Sequence, residues 1–240
     1  MGLPCPIDKT GHEDGDVKSD MARKLLGAGA PLRQSADDML EGIGLVAYDF
    51  DGTITARDSF MAFLKWRVPR GRYARGLIRL LPAAIFFLFH RNRGRLKAAA
   101  VKEFLAGLPK ETLEAQALAF VESQATNLLR PDALRSWRYW QQRQARLVIV
   151  TASPDLIVAP FARGLGAEAL IATELAVDAF GRLTGGFATP NCRGPEKVKR
   201  LRAIFGDDVR LAAAYGDTSG DTEMLRIAEH AGYREFREKP

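Results

Sequence analysis

Asp49 and Asp51 stand two residues apart in Tyr48-Asp49-Phe50-Asp51-Gly52-Thr53-Ile54-Thr55, directly after the apolar run Leu45-Val46-Ala47. Such a run closed by Asp and Gly predicts a strand, and a strand places residues i and i+2 on one face. Both carboxylates therefore emerge together at the carboxyl edge, where open α/β sheets bind ligands. Gly52 and Thr53 then turn the chain away, with backbone N–H groups able to meet an anion. Two close carboxylates repel unless a cation or a proton separates them, so a divalent metal with a phosphate would satisfy the arrangement. The plainer alternative is an Asp-Gly turn after an ordinary strand.

Three further segments weigh against that alternative. A second strand, Leu147-Val148-Ile149-Val150, leads into Thr151-Ala152-Ser153, whose hydroxyls suit phosphate oxygens. A helix opens near Gly194-Pro195-Glu196-Lys197, with a lysine in the first turn, where the helix dipole disfavours a cation. A third strand, Leu211-Ala212-Ala213-Ala214-Tyr215, ends in Gly216-Asp217-Thr218-Ser219-Gly220-Asp221, a second acidic pair. Acid, hydroxyl and acid at three strand ends, with one lysine among them, make a phosphate and magnesium site.

With these four segments in this order, the chain from about Leu45 onward resembles the haloacid dehalogenase-like phosphohydrolases. Within them it is most similar to subfamily IB, the branch that includes phosphoserine phosphatase and phosphatidylglycerophosphatase C. The resemblance implies an aspartyl-phosphate mechanism with Asp49 as nucleophile and Asp51 as general acid and base. It implies Mg²⁺ held by Asp49, the backbone carbonyl of Asp51 and Asp217, with Asp221 acting from behind them. Gly52, Thr151, Ala152 and Lys197 would hold the transferring phosphate oxygens. Asn191-Cys192-Arg193-Gly194-Pro195-Glu196-Lys197-Val198 and Asp58-Ser59-Phe60-Met61-Ala62-Phe63-Leu64 resemble phosphatidylglycerophosphatase C. Phosphoserine phosphatases usually carry Ser-Gly-Gly where this chain has Thr151-Ala152-Ser153, and a Glu where it has Asp58. Asp58 is a candidate substrate contact or the N-cap of the following helix, with Ser59 competing for the cap. A phosphate-ester substrate follows from the resemblance, on a lipid head group or, alternatively, on a small soluble ester such as phosphoserine. A non-catalytic binding module is the remote reading, because every acid the chemistry needs is present.

The elements that must position these residues alternate strand and helix, which predicts an α/β class: a Rossmann-like parallel sheet with helices on both faces. Helices are expected over 59–66, 75–89, 96–106, 110–129, 132–144 and 152–164, and a small hairpin over 175–178 and 182–185. The core domain is thus expected over 42–57 and 145–240. Residues 58–144 form an inserted helical segment, which the resemblance identifies as a C1-type cap over the active site. Residues 1–41, rich in Gly, Pro, Asp, Lys and Ser and without an apolar signal region, read as a flexible N-terminal tail.

Charge is unevenly spread. The chain has 35 Lys and Arg against 29 Asp and Glu, yet 59–102 contains no acid, while Lys65, Arg67, Arg70, Arg72, Arg75, Arg79, Arg91, Arg93, Arg95, Lys97 and Lys102 lie within it. Inside this block runs Leu77 to Phe89, interrupted by Arg79 and Pro82 and apolar all round from Ala83 onward. Three readings compete: a buried cap helix, docking on an anionic membrane surface, and nucleic-acid binding, for which no motif exists. All-round apolarity and the lack of acids favour the membrane surface, and no nucleic acid is expected. The run is too short and too broken to span a bilayer, which takes about 20 apolar residues. Two cysteines and three scattered histidines exclude a disulfide framework and a structural zinc site. The expected location is cytoplasmic, peripheral on the cytoplasmic face of the inner membrane.

Overall fold

A computed structural model describes residues 44–90 and 93–240. The expected tail, 1–41, and Arg91 lie outside the described residues. The chain runs β1 (Leu45–Tyr48), α1 (Ser59–Arg67), α2 (Arg70–Arg79), α3 (Leu81–His90), α4 (Arg93–Leu105), α5 (Lys110–Gln124), α6 (Pro131–Gln142), β2 (Arg146–Pro154) and α7 (Asp155–Leu165). It continues through β3 (Ala169–Thr173), β4 (Leu175–Val177), β5 (Leu183–Phe187), α8 (Pro195–Phe205), β6 (Leu211–Gly216), α9 (Thr222–Arg226) and β7 (Ala228–Tyr233). Five strands form one sheet in the order β3-β2-β1-β6-β7, every neighbouring pair parallel. The antiparallel hairpin β4-β5 stands apart from it.

Alternation along the buried strands divides the core in two. Val46, Tyr48, Ile149 and Tyr215 share a core with Trp137 of α6 and Ile157 and Phe161 of α7. Leu45, Ala47, Val148 and Val150 share the other with Leu201 of α8 and Met224 of α9. Helices therefore cover both faces, as expected. β1 lies between β2 and β6, so its carboxyl end, with Asp49, meets the carboxyl ends of both neighbours.

Three boundaries differ from expectation. The helix expected over 75–89 is two helices parted at Leu80, because Pro82 has no N–H to give to the carbonyl four residues back; α2 and α3 therefore meet at a bend. The helix expected over 152–164 begins at Asp155, and β2 runs on through Pro154. Ser153 precedes a proline, which biases it to extended backbone, so Thr151 lies within the strand. The helix expected to reach 129 ends at Gln124 and tightens into a 3-10 turn over Ala125–Asn127.

Candidate active site

β1 ends with the Asp49 N–H donating to Tyr215 O at 2.8 Å, which ties the first acid to the end of β6. Gly52 follows with φ +86°, and a β-carbon there would sit 2.3 Å from Asp217 Oδ2. Only glycine allows this turn and this approach together. Asp51 Oδ1 accepts from the Ser59 N–H at 2.7 Å, in the first turn of α1. Its other oxygen accepts from the Ser153 hydroxyl. Asp51 therefore spans the gap between α1 and β2.

Lys197 lies in the first turn of α8 with its side chain 1% exposed. Its ammonium donates to Asp49 Oδ1 at 2.6 Å, Asp221 Oδ1 at 2.7 Å and Val150 O at 2.6 Å, so each of its three protons has an acceptor. Burial works against its charge, but Asp49 and Asp221 outweigh it and hold the ammonium at about 12. Asp221 is fully occupied: its second oxygen accepts from the Thr218 N–H and hydroxyl, both at 2.9 Å. Burial pushes it up, but Lys197 and these donors win and hold it below the usual carboxylate range. Asp49 goes the other way, pushed up to about 7 by burial against the pull of Lys197. Burial, then the Asp221 charge, also raises Asp217.

Ligand oxygens of Asp49, Asp217 and Asp221 lie within 4.8 Å of one another. Asp217 Oδ1 is buried and has no hydrogen-bond partner among the described residues, a costly state for a carboxylate oxygen unless a cation faces it. With Asp221 engaged by Lys197 and Thr218, a cation is left with the Asp217 carboxylate and the second lone pair of Asp49 Oδ1. An all-oxygen set of this kind fits a hard divalent ion such as magnesium.

A cavity of about 630 Å³ opens over these groups, lined by Asp49, Asp51, Asp58, Thr151, Ala152 and Asp221 among others. Nine sequence-predicted positions thus fall in one neighbourhood, with Gly52, Lys197 and Asp217 reached through the contacts above. Thr151 Oγ1 accepts from the Ser153 N–H at 3.1 Å. Asp58 caps α1, its Oδ1 accepting from the Met61 N–H at 2.8 Å. Two residues beyond those predicted also belong here. Lys97 of α4 donates to Ala152 O at 3.1 Å and to Ser153 Oγ at 3.2 Å. Arg193 lines the cavity and donates to Ser219 Oγ at 3.1 Å. Lys97 was one of eleven basic residues in an acid-free block, with no local feature to single it out; only the docking of α4 against β2 does so.

This architecture is that of a hydrolase family. The chain belongs to the haloacid dehalogenase-like hydrolases, whose family pattern it matches over residues 46–226. It is 61% identical over 196 residues to Protein CicA of Caulobacter vibrioides, spanning 82% of this chain and 88% of that one. It is 29% identical over 200 residues to "Probable phosphatase Rv3661" of Mycobacterium tuberculosis, spanning 77% and 66%. Its fold is similar to that of a substrate-bound phosphoserine phosphatase, with TM-score 0.54, 19% identity, and coverage of 77% of this chain and 82% of the other.

Proposed function

We propose that this hydrolase is a phosphatase that moves a phosphoryl group from a phosphate monoester to Asp49 and then to water. The observation that carries the reading is the pairing of Asp49 with Lys197 beside Asp51, on the floor of an open cavity. Lys197 holds Asp49 Oδ1 and leaves Oδ2 for the substrate. In the first step that oxygen attacks phosphorus, the bond from phosphorus to the ester oxygen breaks, and Asp51 gives that oxygen its proton. In the second, water attacks phosphorus, the bond to Asp49 breaks, and Asp51 takes the proton back. Ser59 and Ser153 hold the Asp51 carboxylate at both oxygens, which fixes its position between α1 and β2.

Asp49, the Asp51 carbonyl and Asp217 would hold Mg²⁺, with Asp221 positioned behind them; when bound, the ion would neutralise charge building on the phosphoryl oxygens. Gly52, Thr151 and Ala152 would offer donors to those oxygens, with the Lys197 charge behind Asp49. Asp58, at the cavity wall, marks where the leaving group lies. Residues 58–144 would act as the cap, with α1 to α4 contributing its cavity-lining side chains.

For the ester, we read a lipid head-group phosphate, with phosphatidylglycerophosphate as the example the sequence resemblance suggests. Supporting this, Leu81, Ile85 and Leu88 of α3 are 53%, 53% and 70% exposed. Their i, i+4, i+7 spacing makes one apolar stripe, and exposed Arg70, Arg75 and Arg79 lie on the neighbouring α2, which suits an anionic lipid surface. Among the described residues no helix is long and apolar enough to cross a membrane. A second reading, a phosphoserine-like soluble ester, is favoured by Asp58 and Lys97 in one cavity, a carboxylate and an ammonium for an amino acid's two charges. A magnesium-dependent screen with phosphatidylglycerophosphate in micelles, phosphoserine and sugar phosphates separates them. Faster turnover of the lipid supports the first reading; faster turnover of phosphoserine replaces it with the second.

A further inference from the structure

The cavity over Asp49 is larger than a phosphate and a metal ion require. Its volume of about 630 Å³ falls among sites that enclose whole organic ligands, roughly 300–1,000 Å³. Its two ends differ in kind. One is the acid and hydroxyl floor; the other is Phe60 and Met61 of α1, Leu80 at the bend, Leu81 and Ala84 of α3, and Ala100 of α4. The apolar wall begins directly at the reacting groups. Phe60 follows Ser59, whose N–H holds Asp51. Ala100 is three residues beyond Lys97 on the same helix face, and Lys97 touches Ala152 and Ser153. From there the wall runs to Leu81, half-exposed at the base of the apolar stripe on α3.

We infer that the hydrocarbon chain of the substrate enters the protein and lies along this wall, so that the enzyme selects phosphate monoesters whose chain starts within a few bonds of phosphorus. Alkyl and isoprenyl phosphates meet that condition. A polar linker between phosphate and chain would be set against Phe60, Leu80 and Ala100 without hydrogen-bond partners, which is costly. The inference rests on the phosphatase reading of the site; within that reading it favours a chain attached directly to the phosphate over phosphatidylglycerophosphate, whose glycerol and phosphodiester would be such a linker.

The test uses n-alkyl phosphates of four to ten carbons, kept below their micelle-forming concentrations, with the full chain and Mg²⁺. The value of kcat/KM should rise with each methylene by about two- to fourfold, the upper figure being complete burial of a CH₂ group, and level off once the wall is covered. Ala84→Phe narrows the apolar end and should bring the plateau to shorter chains; a plateau at the wild-type length would overturn the chain site. A flat dependence on chain length with good aryl phosphate turnover overturns the chain site and leaves the phosphatase reading standing. Binding of the corresponding non-hydrolysable alkylphosphonates keeps the two readings apart. Affinity that climbs with chain length while no ester is turned over supports the chain site and overturns the phosphatase reading. Affinity indifferent to chain length overturns the chain site whatever the turnover.

Discussion

The two ends of the cavity are built on opposite terms. At the sheet end, Lys197 is buried with three acceptors, Asp221 is fully bonded, and Gly52 is packed against Asp217. Little there can move without leaving a buried charge unpaired, which costs several kcal/mol. At the helical end, Leu81, Ile85 and Leu88 stand in solvent, and α2 and α3 meet at a bend. Arg79 there reaches Glu103 at 3.3 Å while its side chain stays 67% exposed. The buried, paired charges lie at the sheet, and the exposed apolar side chains lie on helices inserted between β1 and β2.

The largest expected effect breaks the rigid end. Asp49→Asn removes the nucleophile and should lower kcat by several orders of magnitude, with the fold kept. Turnover near wild type would exclude the covalent route. The same variant tests the electrostatics. In the metal-free protein Asp49 is held at about 7, above its ordinary 3.8, so the folded state binds this proton more tightly than the unfolded chain. That contribution is fully present below about 4 and is lost as pH rises through 7. Denaturant unfolding in EDTA should therefore show wild type losing more stability than Asp49→Asn between pH 4 and 8. Equal losses would mean that Lys197 already compensates the Asp49 charge.

Next in size is Asp51→Asn. General acid and base groups contribute typically 10²–10⁴-fold, and the loss should be greatest for alkyl phosphates, whose leaving oxygens need a proton, and least for activated aryl phosphates. Equal losses on both would reduce Asp51 to a structural link between α1 and β2.

Lys97→Met should cost less, roughly tenfold to 100-fold, the range expected for a lost hydrogen bond to a charged group. Lys97 meets Asp51 through Ser153, so its loss should follow the leaving-group pattern of Asp51→Asn on a smaller scale. In the double variant the two effects should fail to add. Strict additivity would assign Lys97 to the cavity wall alone.

How much of this was legible in the sequence follows the same division. Asp49, Asp51, Asp217 and Lys197 stand out as a set: a strand-end acid alone is an ordinary turn residue, but acids at two strand ends with a lysine against the helix dipole share no local reason. β1, β2 and β6, buried at the sheet centre, show as apolar runs. The edge strands β3 and β7 were not anticipated: Ala228-Glu-His-Ala-Gly-Tyr233 has neither alternation nor β-branched residues, and it is a strand because β6 offers it a ladder. Lys97 lies 56 residues from Ser153, and no local rule couples such positions. The apolar run 77–89 was visible, but its bend at Leu80 decides which residues face the cavity and which face solvent.

The smallest effect sharpens the helical end. If α3 rests on an anionic membrane, two forces act there. Attraction by exposed arginines such as Arg70 and Arg75, about 1 kcal/mol per cation near the surface, is screened by salt within roughly 10 Å. Insertion of Ile85 and Leu88 is not screened, and both are more than half exposed, so each contributes on the order of 1 kcal/mol when withdrawn from water. Association with vesicles containing anionic lipid should therefore weaken in high salt without vanishing. Ile85→Ser with Leu88→Ser should remove the salt-resistant part, on the order of tenfold or more, while Arg70→Gln with Arg75→Gln reduces only the salt-sensitive part. Neither pair touches Asp49 or its partners, so hydrolysis of a soluble aryl phosphate should be unchanged in both. Wild-type protein that ignores such vesicles at low salt would separate the apolar wall inside the cavity from the stripe outside it. The chain would then be drawn from dissolved esters, and the stripe on α3 would have no part in its capture.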